Sequence, residues 1–210
     1  MWNDDKTVEG AVRQKNKGLI FNAAKKEFVT FGFKGASIKR IAERAGLPRT
    51  NIHYYFADKE DLYRQLLSDI LQVWNSSFGN FSVTDEPKVA LRAYIRAKVL
   101  FSQTDPDASR LFASEIIHGA PFLHDYLQTD FRLWVTEKVS IINTWQAQGK
   151  IKPVNAYHVL FIIWSATQHY ADFACQVTAA MAKPSLTDED FEQVVDSLTQ
   201  IILTGIGLPV

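Results

Sequence analysis

One cysteine, two methionines and no net charge set the first limits on this chain of 210 residues. Cys175 has no second cysteine to pair with inside the chain, which excludes a disulfide scaffold and points to a reducing compartment. No apolar run approaches the roughly 18–20 residues that a membrane span requires; the longest is 159–166. The opening Met1-Trp2-Asn3-Asp4-Asp5-Lys6 lacks the apolar stretch of a secretory leader. A soluble cytoplasmic protein with no membrane partner is therefore expected. Also missing are His-Glu-x-x-His, Gly-x-Ser-x-Gly and any phosphate-cradling glycine loop. Five histidines are scattered (His53, His118, His124, His158, His169), and His118 and His124 sit on either side of Pro121, a poor spacing for shared metal ligands. Neither catalysis, a metal nor a cofactor is expected.

What is present is 47% hydrophobic and 12% aromatic residues, enough to bury a core and too much for a disordered chain. The zero net charge hides an asymmetry. Residues 1–65 hold 13 Lys and Arg against 8 Asp and Glu, so the rest of the chain is acidic by the same margin. A basic head on an acidic body directs one end toward a polyanion, although chance clustering on a solvated surface reads the same way.

Nearly every segment carries a helical period, and none alternates as a strand does. The expected fold is all-α, with about nine helices. A first helix over 13–31 places Ile20, Ala24, Phe28 and Phe31 on one face, and Gly32 stops it. Ser37 opens a short helix over 38–45 that Gly46 ends; Pro48 precedes a third over 49–55. Asp58 caps a fourth, with Leu62, Leu66, Ile70 and Val73 facing inward. After a Ser-, Asn- and Gly-rich loop at 75–87, body helices are expected at 88–103, 106–118, 122–148, 155–181 and 187–204.

Residues 37–56 have the logic of a helix-turn-helix. Ile38, Ile41, Ala42 and Ala45 give the first short helix an apolar face, and Leu47 plugs the angle after Gly46. The next helix has one strongly apolar inward residue, Ile52, while Arg49, Thr50, Asn51, His53 and Tyr54 are polar groups free to face a partner. Such a surface suits a helix lying in the DNA major groove. Tyr55 and Phe56 read as core, and His53 reads equally as an ordinary exposed histidine.

Tyr54-Tyr55-Phe56 followed by Asp58-Lys59-Glu60-Asp61-Leu62-Tyr63, with Phe28 to Ser37 and Ile41 to Gly46 before them, resembles the head of the TetR family of repressors. One departure is Pro48, where many relatives carry a Ser or Thr cap. The resemblance implies a helix-turn-helix DNA-binding domain over 13–60 and a ligand-binding and dimerisation domain over 61–210. It assigns Arg49, Thr50, Asn51, His53 and Tyr54 to the DNA face. Lys59 would hold a phosphate at the start of the fourth helix, and Lys39 and Arg40 would lie near the backbone. Ala108 to Pro121 and Ile163 to Phe173 resemble the pyrimidine-utilisation branch of the family, whose effector is a planar nucleobase, uracil or thymine.

At those segments Gln168 and His169 interrupt an apolar helix and need partners when buried. Flanked by Trp164, Tyr170 and Phe173, they could pair with a flat polar ring. Phe112 and Glu115 lie on the preceding segment, and Trp74 and Phe78 would close the lower end. The alternative is that Gln168 and His169 bond Glu115 or Asp172 and merely tie helices together. An apolar stripe of Phe191, Val194, Val195, Leu198, Ile201 and Ile202 marks the last helix. The resemblance makes it and 155–181 a homodimer seam, with packing inside one chain as the alternative. The expected function is a transcriptional repressor that binds a palindromic operator in double-stranded DNA and answers to a small effector. The rivals are a regulator sensing another metabolite or a protein, and an enzyme. Replacing Arg49 by Ala is expected to cost about 1–3 kcal/mol on the true operator and to blur one base position. Gel-shift titration against single-base operator variants measures both.

Overall fold

The computed structural model describes residues 4–77 and 81–208, with side chains from 12 to 75 and from 81 onward. All the regular structure among the described residues is helical. The chain forms two compact units, Met1–Gln72 and Val73–Val210.

The first unit holds α1 (Asp4–Gly35), α2 (Ile38–Ala45), α3 (Arg49–Tyr55) and most of α4 (Lys59–Ser77). Its core is the side-chain set that a 3.6-residue period places on facing stripes. Ile20, Ala24 and Phe28 come from α1, Ile41 and Ala42 from α2, and Leu62, Leu66 and Ile70 from α4. The Phe28 ring meets Tyr63 edge-on at 4.7 Å, and Phe21 lies 5.7 Å from Phe56. Asp58 caps α4 as expected, its carboxylate accepting from the Asp61 N–H at 2.8 Å.

The first helix departs from the expected 13–31. It starts at Asp4 and passes through Gly32 with a kink, at φ 65° and ψ 173°, before ending at Gly35. Phe31, the last residue before the kink, lies outside the core, with the Arg40 guanidinium over its ring at 4.5 Å. Val73 is also exposed, because the inward stripe of α4 continues to Trp74.

The second unit contains α5 (Pro87–Thr104), α6 (Pro106–Ile117), α7 (His124–Gln128), α8 (Asp130–Ala147), α9 (Ala156–Asp172), α10 (Ala174–Ala180) and α11 (Asp188–Gly205). α9 is its axis: α5, α6, α8, α10 and α11 all pack against it. Asp105 caps α6, Asn155 caps α9, and Thr187 and Asp190 form a reciprocal capping box at the start of α11. Two helices expected to be continuous are broken. The 122–148 segment divides at Thr129 (φ −113°, ψ −95°), and 155–181 divides at Phe173 (φ −116°, ψ 32°). Neither break carries Gly or Pro, so periodicity alone runs through both. In the stripe of α11, Val194, Val195 and Ile202 are buried, whereas Ile201 faces solvent.

Gly32 occupies a backbone region that residues with a Cβ rarely adopt, yet nothing lies within 4 Å of where that Cβ would stand. Gly32→Ala should therefore lower stability by about 1–3 kcal/mol through conformation alone. Urea denaturation of the two proteins checks this, and an unchanged midpoint would contradict it.

Candidate functional site

Two sets of residues have chemistry to offer, one in each unit. In the first, Gly46 takes the left-handed conformation (φ 67°, ψ 28°) and its N–H closes the end of α2 on Ala42 and Glu43. That turn aims α3 away from α2. Ile52 is the one buried residue of α3, and burying it fully is worth about 1.5–3 kcal/mol. Phe56 follows it inside, and half-buried Tyr55 accepts a hydrogen bond from the Asn16 amide at 3.3 Å. Arg49, Thr50, His53 and Tyr54 stay exposed and Asn51 is partly so, which makes one polar helical surface.

The three further basic residues expected to meet DNA differ in what they do. Lys39 is well exposed, 3.9 Å from Glu43. Arg40 turns inward: its Nε donates to the buried Glu27 carboxylate at 2.6 Å and its Nη2 to the Gly35 carbonyl. The same Glu27 oxygen accepts the Ser37 N–H, so the carboxylate ties α1 to the start of α2. Lys59 donates to the Lys34 and Ala36 carbonyls and lies over the Phe33 ring at 4.9 Å. The carbonyls that close α1 thus receive two cations, one from α2 and one from α4.

In the second unit the structure gathers Trp74, Phe112 and Gln168 around a residue the sequence reading missed, Lys98. The Trp74 ring packs on Phe112 at 4.4 Å and edge-on to Phe101 at 5.5 Å. Lys98 Nζ lies 4.6 Å from the Trp74 ring centre and donates to Gln168 Oε1 at 3.2 Å. Trp164, one turn from Gln168 on α9, donates its indole N–H to buried Tyr94. Below Gln168, Asp172 accepts from Ser109 at 2.7 Å, and Arg110 donates to the Ala171 carbonyl. The other anticipated residues lie elsewhere. Glu115 is buried but accepts the Phe122 N–H at 2.6 Å, which closes the turn after α6. His169 stacks on exposed Phe173 at 5.0 Å, with Tyr170 edge-on beside it. Phe78 lies outside the described residues. A signal for Lys98 did exist: it stands on the stripe Leu91, Ile95, Lys98, Ser102, an inward helical face with a cation in it.

Burial pulls the Lys98 amine down from 10.5 to about 7, with the Asp172 charge acting the other way. Burial likewise raises the Asp172 carboxyl, against the hydrogen bond from Ser109 and the charge of Lys98. Among the described residues no group of three His, Cys, Asp or Glu side chains could hold a metal ion. No helix among them is long and apolar enough to cross a membrane.

A glycine-turned helix pair with a polar outer helix, followed by an all-helical body, defines a helix-turn-helix transcription regulator. Residues 20–66 match the family of bacterial regulatory proteins of the tetR type, and 67–209 match the YcdC-like protein C-terminal region. The chain belongs to the TetR family. It is 41% identical over 196 residues to the HTH-type transcriptional regulator RutR of Escherichia coli K12, spanning 93% of this chain and 92% of that one. The HTH-type transcriptional repressor NicS of Pseudomonas putida is 25% identical across 69% of this chain and 68% of its own. The fold is shared with the ketosteroid transcriptional regulator KstR2 of Mycobacterium tuberculosis (TM-score 0.71, 18% identity, 90% of this chain and 94% of that one). It is shared too with AibR, solved with isovaleryl coenzyme A and operator DNA (TM-score 0.66, 15% identity, 89% and 97%). The protein is a regulator of transcription and not an enzyme.

The depressed Lys98 amine makes a stability prediction whose sign is fixed. Between about pH 7 and 10.5 the unfolded chain keeps a proton that the folded chain has shed, so unfolding becomes harder as pH rises through that window. Below pH 7 both states hold the proton and the burial penalty is felt in full. Lys98→Met removes the effect, so its stability advantage should be largest near pH 6 and shrink toward pH 10. Unfolding curves at a series of pH values measure the difference; a gap that widens with pH would contradict it.

Proposed function

We propose that the protein is a repressor that binds a palindromic operator as a homodimer and changes its DNA affinity when a pyrimidine base, uracil or thymine, occupies the body. The observation that carries the DNA reading is the polar surface of α3, where Ile52 alone is buried and Arg49, Thr50, Asn51, His53 and Tyr54 remain available to base edges and phosphates. Lys39 adds a phosphate contact from α2. Arg40 and Lys59 act mainly from behind, by holding the end of α1. Residues 13–60 make up the DNA-binding domain in this reading, and 61–210 the effector and dimer domain.

The pyrimidine reading is supported by the likeness to RutR through the whole body. It is supported also by the gathering of Trp74 and Phe112, which can stack on a flat ring, with Gln168, which can pair with its edge. Trp164 extends this wall along α9. Glu115, His169, Tyr170, Phe173 and Phe78 belong to the same expectation, although the first four are engaged in contacts of their own. For the dimer, the support is an apolar surface left over after the body has packed: Tyr157, Phe161 and Ile162 on α9 and Ile201 on α11 are all exposed. Effector control then requires only that the base bind the operator-competent and operator-free arrangements unequally.

Gel shifts on duplexes recovered by genomic footprinting of the bound sites, with and without uracil or thymine, are expected to show a change in DNA affinity that Gln168→Ala suppresses. Sedimentation should give twice the chain mass, and Ile162→Glu with Ile201→Glu should halve it. A base that binds with no effect on operator affinity would refute the coupling.

A further inference from the structure

Lys98 stands where the stability of the fold alone would place an apolar residue. It is 4% exposed, between Ile95 and Val99 on the inward stripe of α5, and an ammonium there loses its hydration without a matching hydrophobic gain. Its surroundings are specific. The Trp74 ring covers it on one side, Gln168 Oε1 accepts from it, and Phe101 and Phe112 wall off Trp74 in turn. A donor cation and an amide beside aromatic rings form a preorganised cradle for carbonyl oxygens on a flat ring.

We propose that Lys98 is the specificity-determining cation of the effector site: with Gln168 it receives a carbonyl oxygen of a planar heterocycle stacked on Trp74, and binding holds a proton on its amine. This rests on the effector reading above and adds to it the chemistry of recognition and a dependence on pH. The ligand class is a cyclic amide or imide, whose oxygens accept hydrogen bonds; a ring bearing amino donors in place of those oxygens would meet like groups and be rejected.

The charged groups around Lys98 set the direction of the pH effect. Asp172 on α9 favours the ammonium, while Arg110 on α6 and His169 on α9 act on Asp172 in turn. On the outer side of α5, Arg92 and Arg96 are paired with Asp196 and Glu192 of α11. Burial leaves the amine poised near neutrality, at about 7. A bound carbonyl oxygen stabilises the charged form, so above that pH the ligand draws a proton from solvent, and its affinity falls as pH rises further.

Calorimetry of the full chain with uracil, thymine and cytosine, in buffers of different ionisation heat, tests this. Uptake of most of one proton is expected near pH 8 and almost none near pH 6, with uracil and thymine bound more tightly than cytosine. Lys98→Met should abolish the uptake and weaken binding about ten- to a hundredfold, and its unfolding midpoint shows that it is folded. Lys98→Arg, which keeps the charge but does not titrate, should bind without uptake. Unchanged affinity in Lys98→Met, or binding with no proton uptake near pH 8, overturns this inference and leaves the pyrimidine reading standing. No binding of any of the three bases overturns both.

Discussion

The polar surface of α3 depends on how little of the helix is inside. A seven-residue helix has no stability of its own in water, because nucleation outweighs the few hydrogen bonds it gains. α3 is therefore held by its anchors: Ile52 in the core, Phe56 just beyond the helix end, and the Tyr55 hydroxyl bonded to Asn16. All of them sit on one side. If a second side chain on the opposite face were drawn in, the helix would be firmer and the polar surface proposed to meet DNA would be gone. The small buried fraction is the condition for function, and Gly46 and Leu47 supply the angle that makes it sufficient.

The same economy explains the basic residues behind α3. α1 is kinked at Gly32, and its end leaves the carbonyls of Lys34, Gly35 and Ala36 facing the start of α2. Arg40 and Lys59 supply donors to them, and buried Glu27 draws Arg40 and the Ser37 N–H to one point. Charges that a sequence marks for phosphate are partly used to stiffen the scaffold that presents Arg49 and its neighbours. In a DNA-binding regulator the two uses are compatible, since a rigid head gives up less entropy on docking.

In the body, polarity has been carried into the centre. α9 is packed on by five helices, and its inner surface meets α5 through Lys98 and Gln168 and α6 through Asp172 and Ser109. A core built for stability alone would hold leucines at these positions. Each buried polar group must instead find partners, and the few positions where it does so coincide with the place proposed for the effector.

Much of this was legible in the residues themselves. Helical periodicity, Gly46, Asp58 and the caps at Asp105, Asn155 and Thr187 are local signals, and local hydrogen bonding decides what they do; hence the all-helical fold and the helix-turn-helix could be read directly. Tertiary structure decided what depends on neighbours distant in sequence. Phe31 and Val73 belong to apolar stripes by spacing but face outward: Phe31 ends its stripe under the Arg40 guanidinium, and at Val73 the fractional turn of the helix chooses between near-equivalent positions. The breaks at Thr129 and Phe173 have no breaker residue, so nothing local marks them. Whether Arg40, Lys59 or Glu115 faces outward, and that Lys98 faces inward, follows from which carbonyls, rings and carboxylates the fold brings within about 3–5 Å of a long flexible side chain. A sequence specifies the reach of such a side chain, and only the folded chain specifies what lies within it.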